Sequence, residues 1–185
     1  RDLVSGRRPF IDDVRIPGML MARVLRSPYP HANIVKIDTT KAKAAPGVRA
    51  VLTYKDAPDW KCGLPQHRKV LDQRVRFTGD SVALVAAETL EAADEACRQI
   101  EVEYEELPFV LDCEEAIKPD APQLYDEFPG NVLPKVTPFS EEPFNQIHVG
   151  DVEKAFEEAA YVAEGYYCYD KLPHPLPPES PGVIA

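Results

Sequence analysis

What this chain of 185 residues has little of already narrows its function. Cations are in deficit: 21 Lys and Arg stand against 31 Asp and Glu, a formal net charge of −10. A broad nucleic-acid surface needs clustered cations to displace phosphate counterions, so that class is excluded. Arg7, Arg8, Arg23 and Arg26 are local exceptions and read as surface charges. No apolar run approaches the roughly 20 residues that cross a bilayer. Arg1 to Pro9 is charged and leads into no apolar secretion segment. Cysteine is sparse and scattered: Cys62, Cys97, Cys113 and Cys168 form no Cys-x-x-Cys pair. Zinc ribbons and iron–sulfur sites need clustered thiolates, so four reduced thiols in a cytoplasmic protein is the reading taken. His31, His67, His148 and His174 lack metal-ligand spacing, and no metal site is assigned. Nine scattered glycines make no Gly-x-Gly-x-x-Gly or phosphate loop, and Ser27, Ser140 and Ser180 lack the nucleophile elbow.

Proline is in excess. Nineteen residues are about twice average usage, and many follow residue 107. With 44% hydrophobic residues, a packed body followed by extended chain is expected. Pro17-Gly18 marks a turn. Met19 to Arg26 alternates, placing Leu20, Ala22 and Val24 on one strand face. Pro28 and Pro30 interrupt it, and Asn33 to Asp38 resumes as a second strand, expected antiparallel to the first. Lys41 to Ala45 reads as a helical turn stopped by Pro46-Gly47, and Val48 to Tyr54 as extended. Residues 56–69 read as a loop in which Trp60 either covers the local core or docks a partner.

Residues 74–106 carry the clearest pattern. Arg74 to Phe77 and Val82 to Ala87 suit strands separated by a Gly79-Asp80 turn. Thr89 caps a helix whose Leu90, Ala93, Ala96, Cys97 and Ile100 form an apolar stripe. Glu101 to Glu105 alternates acid with Val102 and Tyr104, a strand with one wet face. Strand, helix and strand in this order predict a right-handed parallel crossover. The fold expected over residues 19–106 is α+β, a mixed sheet with one packed helix. Beyond it, Leu107 to Pro143 is loop-rich, with a helical turn at Glu114 to Lys118. Asp151 caps a further helix with Val152, Ala155, Phe156 and Ala159 inward, and Tyr161 to Tyr169 reads as a strand.

General acid–base catalysis needs carboxyl groups that converge on one pocket. Glu101, Glu103, Glu105 and Glu106 instead fit a solvated face. Arg26, Asp38 and Asp80 sit beside turns, where they are expected to fix loop geometry through backbone hydrogen bonds. Gly47 and Gly79 are expected to supply backbone angles other residues tolerate poorly.

An ordered motif series gives the reading a name. Leu25-Arg26-Ser27-Pro28 leads to His31, and Asp38 precedes Ala45-Pro46-Gly47-Val48. Arg76-Phe77-Thr78-Gly79-Asp80, Val102-Glu103-Tyr104-Glu105, Leu107-Pro108 and Gly150-Asp151-Val152-Glu153-Lys154-Ala155-Phe156 follow. The series resembles the large, molybdopterin-binding subunit of the xanthine dehydrogenase, aldehyde oxidase and carbon monoxide dehydrogenase family. The resemblance implies an α/β hammerhead domain over 1–118, a proline-rich linker over 119–148 and the start of a molybdopterin-binding domain over 149–185. It implies a parent enzyme that hydroxylates aldehydes, purines or other N-heterocycles with water as oxygen source, or oxidises carbon monoxide. That parent would hold a molybdenum–pterin cofactor and pass electrons to iron–sulfur and flavin (FAD) modules, with a cytoplasmic, homo-oligomeric assembly around it.

The family's glycine-rich cofactor loop, substrate-pocket segments and base glutamate are expected downstream of residue 185. No catalytic residue is therefore assigned here, cofactor-binding residues are unknown, and no cofactor is expected in this piece alone. The tail around His174 and Glu179 resembles a stretch near the family's cofactor, but Pro178 replaces the usual leucine or methionine before Glu179. A polyproline-like linker is the other reading of that tail. The start at Arg1 and the end after Val183-Ile184-Ala185 fit a structural and docking piece of the larger subunit. A stand-alone binding or assembly module on the same fold is the alternative.

Overall fold

The computed structural model describes residues 5–7, 9–63, 68–132, 136–137, 140–143, 149–168 and 182–184. In chain order the strands and α-helices are β1 Met21–Arg26, β2 Ala32–Asp38, α1 Thr40–Ala44, β3 Val48–Thr53, β4 Lys61–Cys62, β5 Arg68–Lys69, β6 Arg74–Val75 and β7 Ser81–Ala87. They continue with α2 Leu90–Arg98, β8 Glu101–Glu106, α3 Cys113–Ala116, β9 Val136–Thr137, β10 Ser140–Pro143 and α4 Val152–Glu158. The chain divides into a unit of Gly18–Gln146 and a second unit of Arg1–Pro17 with Ile147–Ala185.

Two three-stranded sheets build the larger unit, ordered β1-β7-β3 and β6-β2-β8, with every pairing in them antiparallel. β7 is the centre of the first, which explains why Val82, Ala83, Val85 and Ala87 are all buried. Helix α2 packs on this sheet through Ala93 and Ala96, both fully buried. Small side chains on helix and strand let the backbones approach closely. One apolar cluster joins this layer to Ala32, Ile34 and Ile37 of β2 and Val75 of β6.

The α+β class expected from the sequence is what forms, with the helix against a sheet. Two pairings differ from expectation. The parallel crossover from β7 through α2 to β8 does not occur, because β1 and β3 occupy both edges of β7 and β8 instead pairs with β2. For the same reason β1 and β2 are not partners: the Pro28 and Pro30 interruption sends the chain from one sheet to the other.

The face of β1 also differs. Leu25 packs on the core, whereas Leu20 and Ala22 are exposed. A strand alternates with period two, so a phase error of one residue exchanges the two faces. Bulges shift other phases. In β2, Ile34 faces Tyr104 while Lys36 faces Glu103, so Val35 is the extra residue and lies exposed. That is how Ile34 and Ile37, three positions apart, both reach the core.

Loop 56–69 carries a small antiparallel hairpin of β4 and β5. Trp60 does not cover the core, being 72% exposed. In the second unit, Asp151 caps α4 by accepting from the Lys154 amide at 3.0 Å. Its expected inward face is uncovered, with Phe156 63% exposed and Val152, Ala155 and Ala159 also open. The described part of the expected strand at 161–169, residues 161–168, is not a strand, and Tyr161, Tyr166 and Tyr167 are exposed. Tyr169, His67, His148, His174, Pro178 and Glu179 lie outside the described residues.

Candidate functional site

The motifs that stand apart in the sequence close on one another in space. The Ser27 amide donates to the Asp80 carbonyl at 2.8 Å, and the Gly79 amide returns a bond to the Ser27 carbonyl at 2.8 Å. Arg26 Nη1 donates to the Gly79 carbonyl at 3.0 Å. The Asp80 carboxylate accepts from the amides of Arg76 at 3.1 Å and Ser81 at 2.9 Å. Gly79 sits at φ 97°, a left-handed conformation that admits glycine at least cost. Arg-Ser-Pro and Arg-Phe-Thr-Gly-Asp are thus two halves of one knot that joins β1 to β7.

The same logic joins the remaining motifs. His31 Nδ1 lies 2.7 Å from the Pro108 carbonyl, and the Leu107 amide donates to the His31 carbonyl at 2.9 Å. A carbonyl accepts only, so Nδ1 carries the proton. His31 is 4% exposed, and its buried Nε2 has no hydrogen-bond partner among the described residues. Gly47, at φ 77°, accepts the Glu88 amide at 2.9 Å on its carbonyl and lies against Ala92. The Asp38 carboxylate accepts the Thr40 amide at 2.8 Å; hydrogen bonds from Thr40 hold this carboxyl below the usual range. Arg26, Asp38 and Asp80 each fix backbone, as expected from their positions beside turns.

The acidic strand β8 is a wet face. Glu103 pairs with Lys36 at 3.1 Å, Glu105 accepts from Asn33 at 3.1 Å and Glu101 pairs with Lys41, all exposed. Their lysine partners are held above the usual ammonium range, first by the hydrogen bond to Glu103 for Lys36 and to Glu101 for Lys41. These carboxylates face partners across the strand rather than converging on a pocket. No disulfide links Cys62, Cys97, Cys113 and Cys168. Burial pushes the half-buried Cys97 thiol up, away from the reactive thiolate form.

A groove of about 410 Å³ runs along β5 and β6 and is lined by Asn33, Lys69, Asp72, Arg74, Arg76 and Asp126. Its cations are what a pterin phosphate would require, but each already has a carboxylate. Lys69 pairs with Asp59 at 2.5 Å, Arg74 with Asp126 at 3.4 Å and Arg76 with Asp72 at 2.7 Å. Among the described residues no three His, Cys, Asp or Glu side chains gather as metal ligands. Among the described residues, neither this groove nor a ligand cluster marks a molybdenum–pterin site. Sequence reasoning missed the segment that walls this groove, residues 121–131. Its signal was Pro129-Gly130-Asn131, where Gly130 and Asn131 both take positive φ.

No helix among the described residues is long and apolar enough to cross a membrane. The family model "Aldehyde oxidase and xanthine dehydrogenase, a/b hammerhead domain" matches residues 5–108. A probable xanthine dehydrogenase component from Bacillus subtilis is 40% identical over 170 residues, covering 90% of this chain and 21% of that protein. The carbon monoxide dehydrogenase large chain of Hydrogenophaga pseudoflava is 34% identical over 193 residues, covering 98% of this chain and 24% of its own length. Among solved structures, quinoline 2-oxidoreductase from Pseudomonas putida 86 superposes with a TM-score of 0.61 at 35% identity, over 70% of this chain and 18% of that one. The chain thus spans about a fifth to a quarter of the length of these relatives. By the match to residues 5–108 and the antiparallel α+β body that those residues build, the chain belongs to the aldehyde oxidase and xanthine dehydrogenase family, in its a/b hammerhead domain.

Proposed function

We propose that this chain is the N-terminal part of a molybdenum hydroxylase large subunit and acts in it as a structural and docking body. The observation that carries the reading is the hammerhead match over 5–108, joined to identity that runs on over 90% of the chain in a relative it covers by only 21%. The intact subunit would oxidise aldehydes, purines or related N-heterocycles with water as oxygen source. Residues 1–118 would form the hammerhead domain, 119–148 a linker and 149–185 the start of the pterin-binding domain. The uncovered Val152 and Phe156 of α4 support a surface that other parts of the subunit cover.

The molybdenum–pterin cofactor would be held mainly by other segments of the larger subunit. Iron–sulfur and FAD modules would receive the electrons, within a cytoplasmic homo-oligomeric assembly. Redox chemistry belongs to the cofactor, and the protein orients and encloses it. No residue of this chain is given a catalytic role, and His174 and Glu179 are left unassigned. The relatives' names span xanthine, carbon monoxide and nicotinate, so a shared fold leaves the substrate undetermined.

Reading the natural coding frame past residue 185 and purifying its full product tests this. The expected result is a longer polypeptide that carries molybdenum and hydroxylates one of these substrate classes. A natural stop directly after Ala185, or a full-length product with neither molybdenum nor hydroxylase activity when its partner modules are supplied, would overturn it.

A further inference from the structure

The segment after α3 is tied to itself more elaborately than a linker requires. Asn131, at φ 57°, is its centre. Its side-chain amide donates to the carbonyls of Ala116 and Pro122 at 2.9 Å each, and its side-chain oxygen accepts the Leu124 amide at 2.9 Å. Gln123 adds a second set: its amide donates to the carbonyls of Tyr125 at 2.8 Å and Phe128, and its oxygen accepts the Gly130 amide at 3.2 Å. The Tyr125 and Phe128 rings pack at a tilt of 52° with their centres 5.8 Å apart. Two side chains thereby close residues 121–131 into a small preformed unit.

That unit is held to the body by basic side chains. Arg76 is the main one. Its Nε donates to the Leu124 carbonyl at 3.0 Å, and its guanidinium lies 4.6 Å from the centre of the Tyr125 ring. Asp72 and the Arg74 carbonyl orient that guanidinium at 2.7 and 3.0 Å. Arg74 pairs with Asp126 and Lys61 with Glu127. The last two pairs are largely exposed, and exposed pairs are weak and screened by salt. By contrast β7 is a central strand hydrogen-bonded on both edges.

We propose that residues 121–131 are a latched strap: a preformed unit that lifts off the basic side chains of β4 and β6 and Arg76, under control of charge, while the two-sheet body stays folded. The bonds within 121–131 travel with it, so lifting costs the latch, the half-buried contacts of Leu124 and Tyr125, and any strain on the Asn131 bond to the Ala116 carbonyl. Elements held by few interactions open below the global unfolding free energy, and here the part-buried Arg76 is the principal hold beside two exposed ion pairs. Arg76 works as the catch of the latch through a planar fork and a ring contact that lysine does not reproduce.

Amide hydrogen exchange on the full polypeptide, comparing residues 121–131 with β7 and α2, tests the latch. The strap amides should exchange at least about 10-fold faster than those of β7. Raising salt from about 0.05 to about 1 M should speed strap exchange about 3-fold with β7 unchanged. The surface variant Asp126→Asn with Glu127→Gln should reproduce that acceleration at low salt and remove most of the salt response. Arg76→Lys should open the strap about 10-fold despite keeping its charge. Strap and β7 amides that exchange together in the unaltered protein would overturn the proposal. So would a strap indifferent both to salt and to the Asp126→Asn, Glu127→Gln pair, a test that does not depend on the Arg76 variant folding.

Discussion

Single carboxylates in this chain fix backbone, and the bonds they accept set what their loss should cost. Asp80 satisfies the amides of Arg76 and Ser81 beside a half-buried turn. Asp80→Ala leaves both donors without that acceptor and should cost about 2 kcal/mol, while Asp80→Asn keeps one oxygen and should cost about 1 kcal/mol, read by urea unfolding. Asp56 is the clearer acid sensor. Its carboxylate accepts from the Thr53 amide and hydroxyl, both at 2.9 Å. The amide bond first, then the hydroxyl bond, holds the carboxyl below its usual range. The unfolded carboxyl therefore takes up its proton at higher pH than the folded one. Stability from this group is present above about pH 4 and is lost as pH falls through the depressed folded value. Asp56→Asn should destabilise by about 1 kcal/mol near pH 7 and by less near pH 3. Equal losses at both pH values would show that the charge is not what matters.

Elements were legible where side-chain period and local chemistry agreed. Thr89 is readable as a cap because a threonine stands before the apolar stripe, and its Oγ1 accepts the Ala92 amide at 3.1 Å. Thr89→Ala should cost about 1 kcal/mol of unfolding free energy, with a valine at the same place no better. Turns at Gly47 and Gly79 were readable for the same local reason. Pairing was not, because no residue in β7 or β8 states which edges are already taken. The bulge at Val35 was equally hidden: Asn33 to Asp38 looks like one alternating strand, and only the partner register shows the extra residue. The α4 face was read as covered, and Trp60 as core cover in one of its two readings, since apolar residues usually are buried. What covers an apolar group depends on chain elsewhere, which the local sequence does not specify. The candidate site followed the same rule. The Asp80 role was local and legible, whereas the Arg26 bond to Gly79 and the Arg76 bond to Leu124 join distant segments whose partners the sequence did not name.

At the scale of the whole molecule, the two units differ in how well their apolar groups are satisfied. Gly18–Gln146 has a shared core in which Ile34, Val75, Val82 and Val85 are fully buried. In the other unit Val149, Val152, Phe156, Tyr161, Tyr166 and Tyr167 are all more than 40% exposed. Exposed apolar patches of this kind favour association. The 185-residue polypeptide expressed alone should therefore self-associate with rising concentration, and Phe156→Glu should shift sedimentation toward monomer without changing the melting of the β7 core. The same polypeptide should hold no stoichiometric molybdenum, because in the proposed function other segments of the larger subunit hold the cofactor. Elemental analysis separates the two ideas cleanly. About one molybdenum per chain would mean that residues outside the described set bind the cofactor unaided, and the docking role would have to be abandoned. A metal-free monomer at every concentration would leave the family assignment intact but remove the reason to regard α4 as a surface awaiting cover.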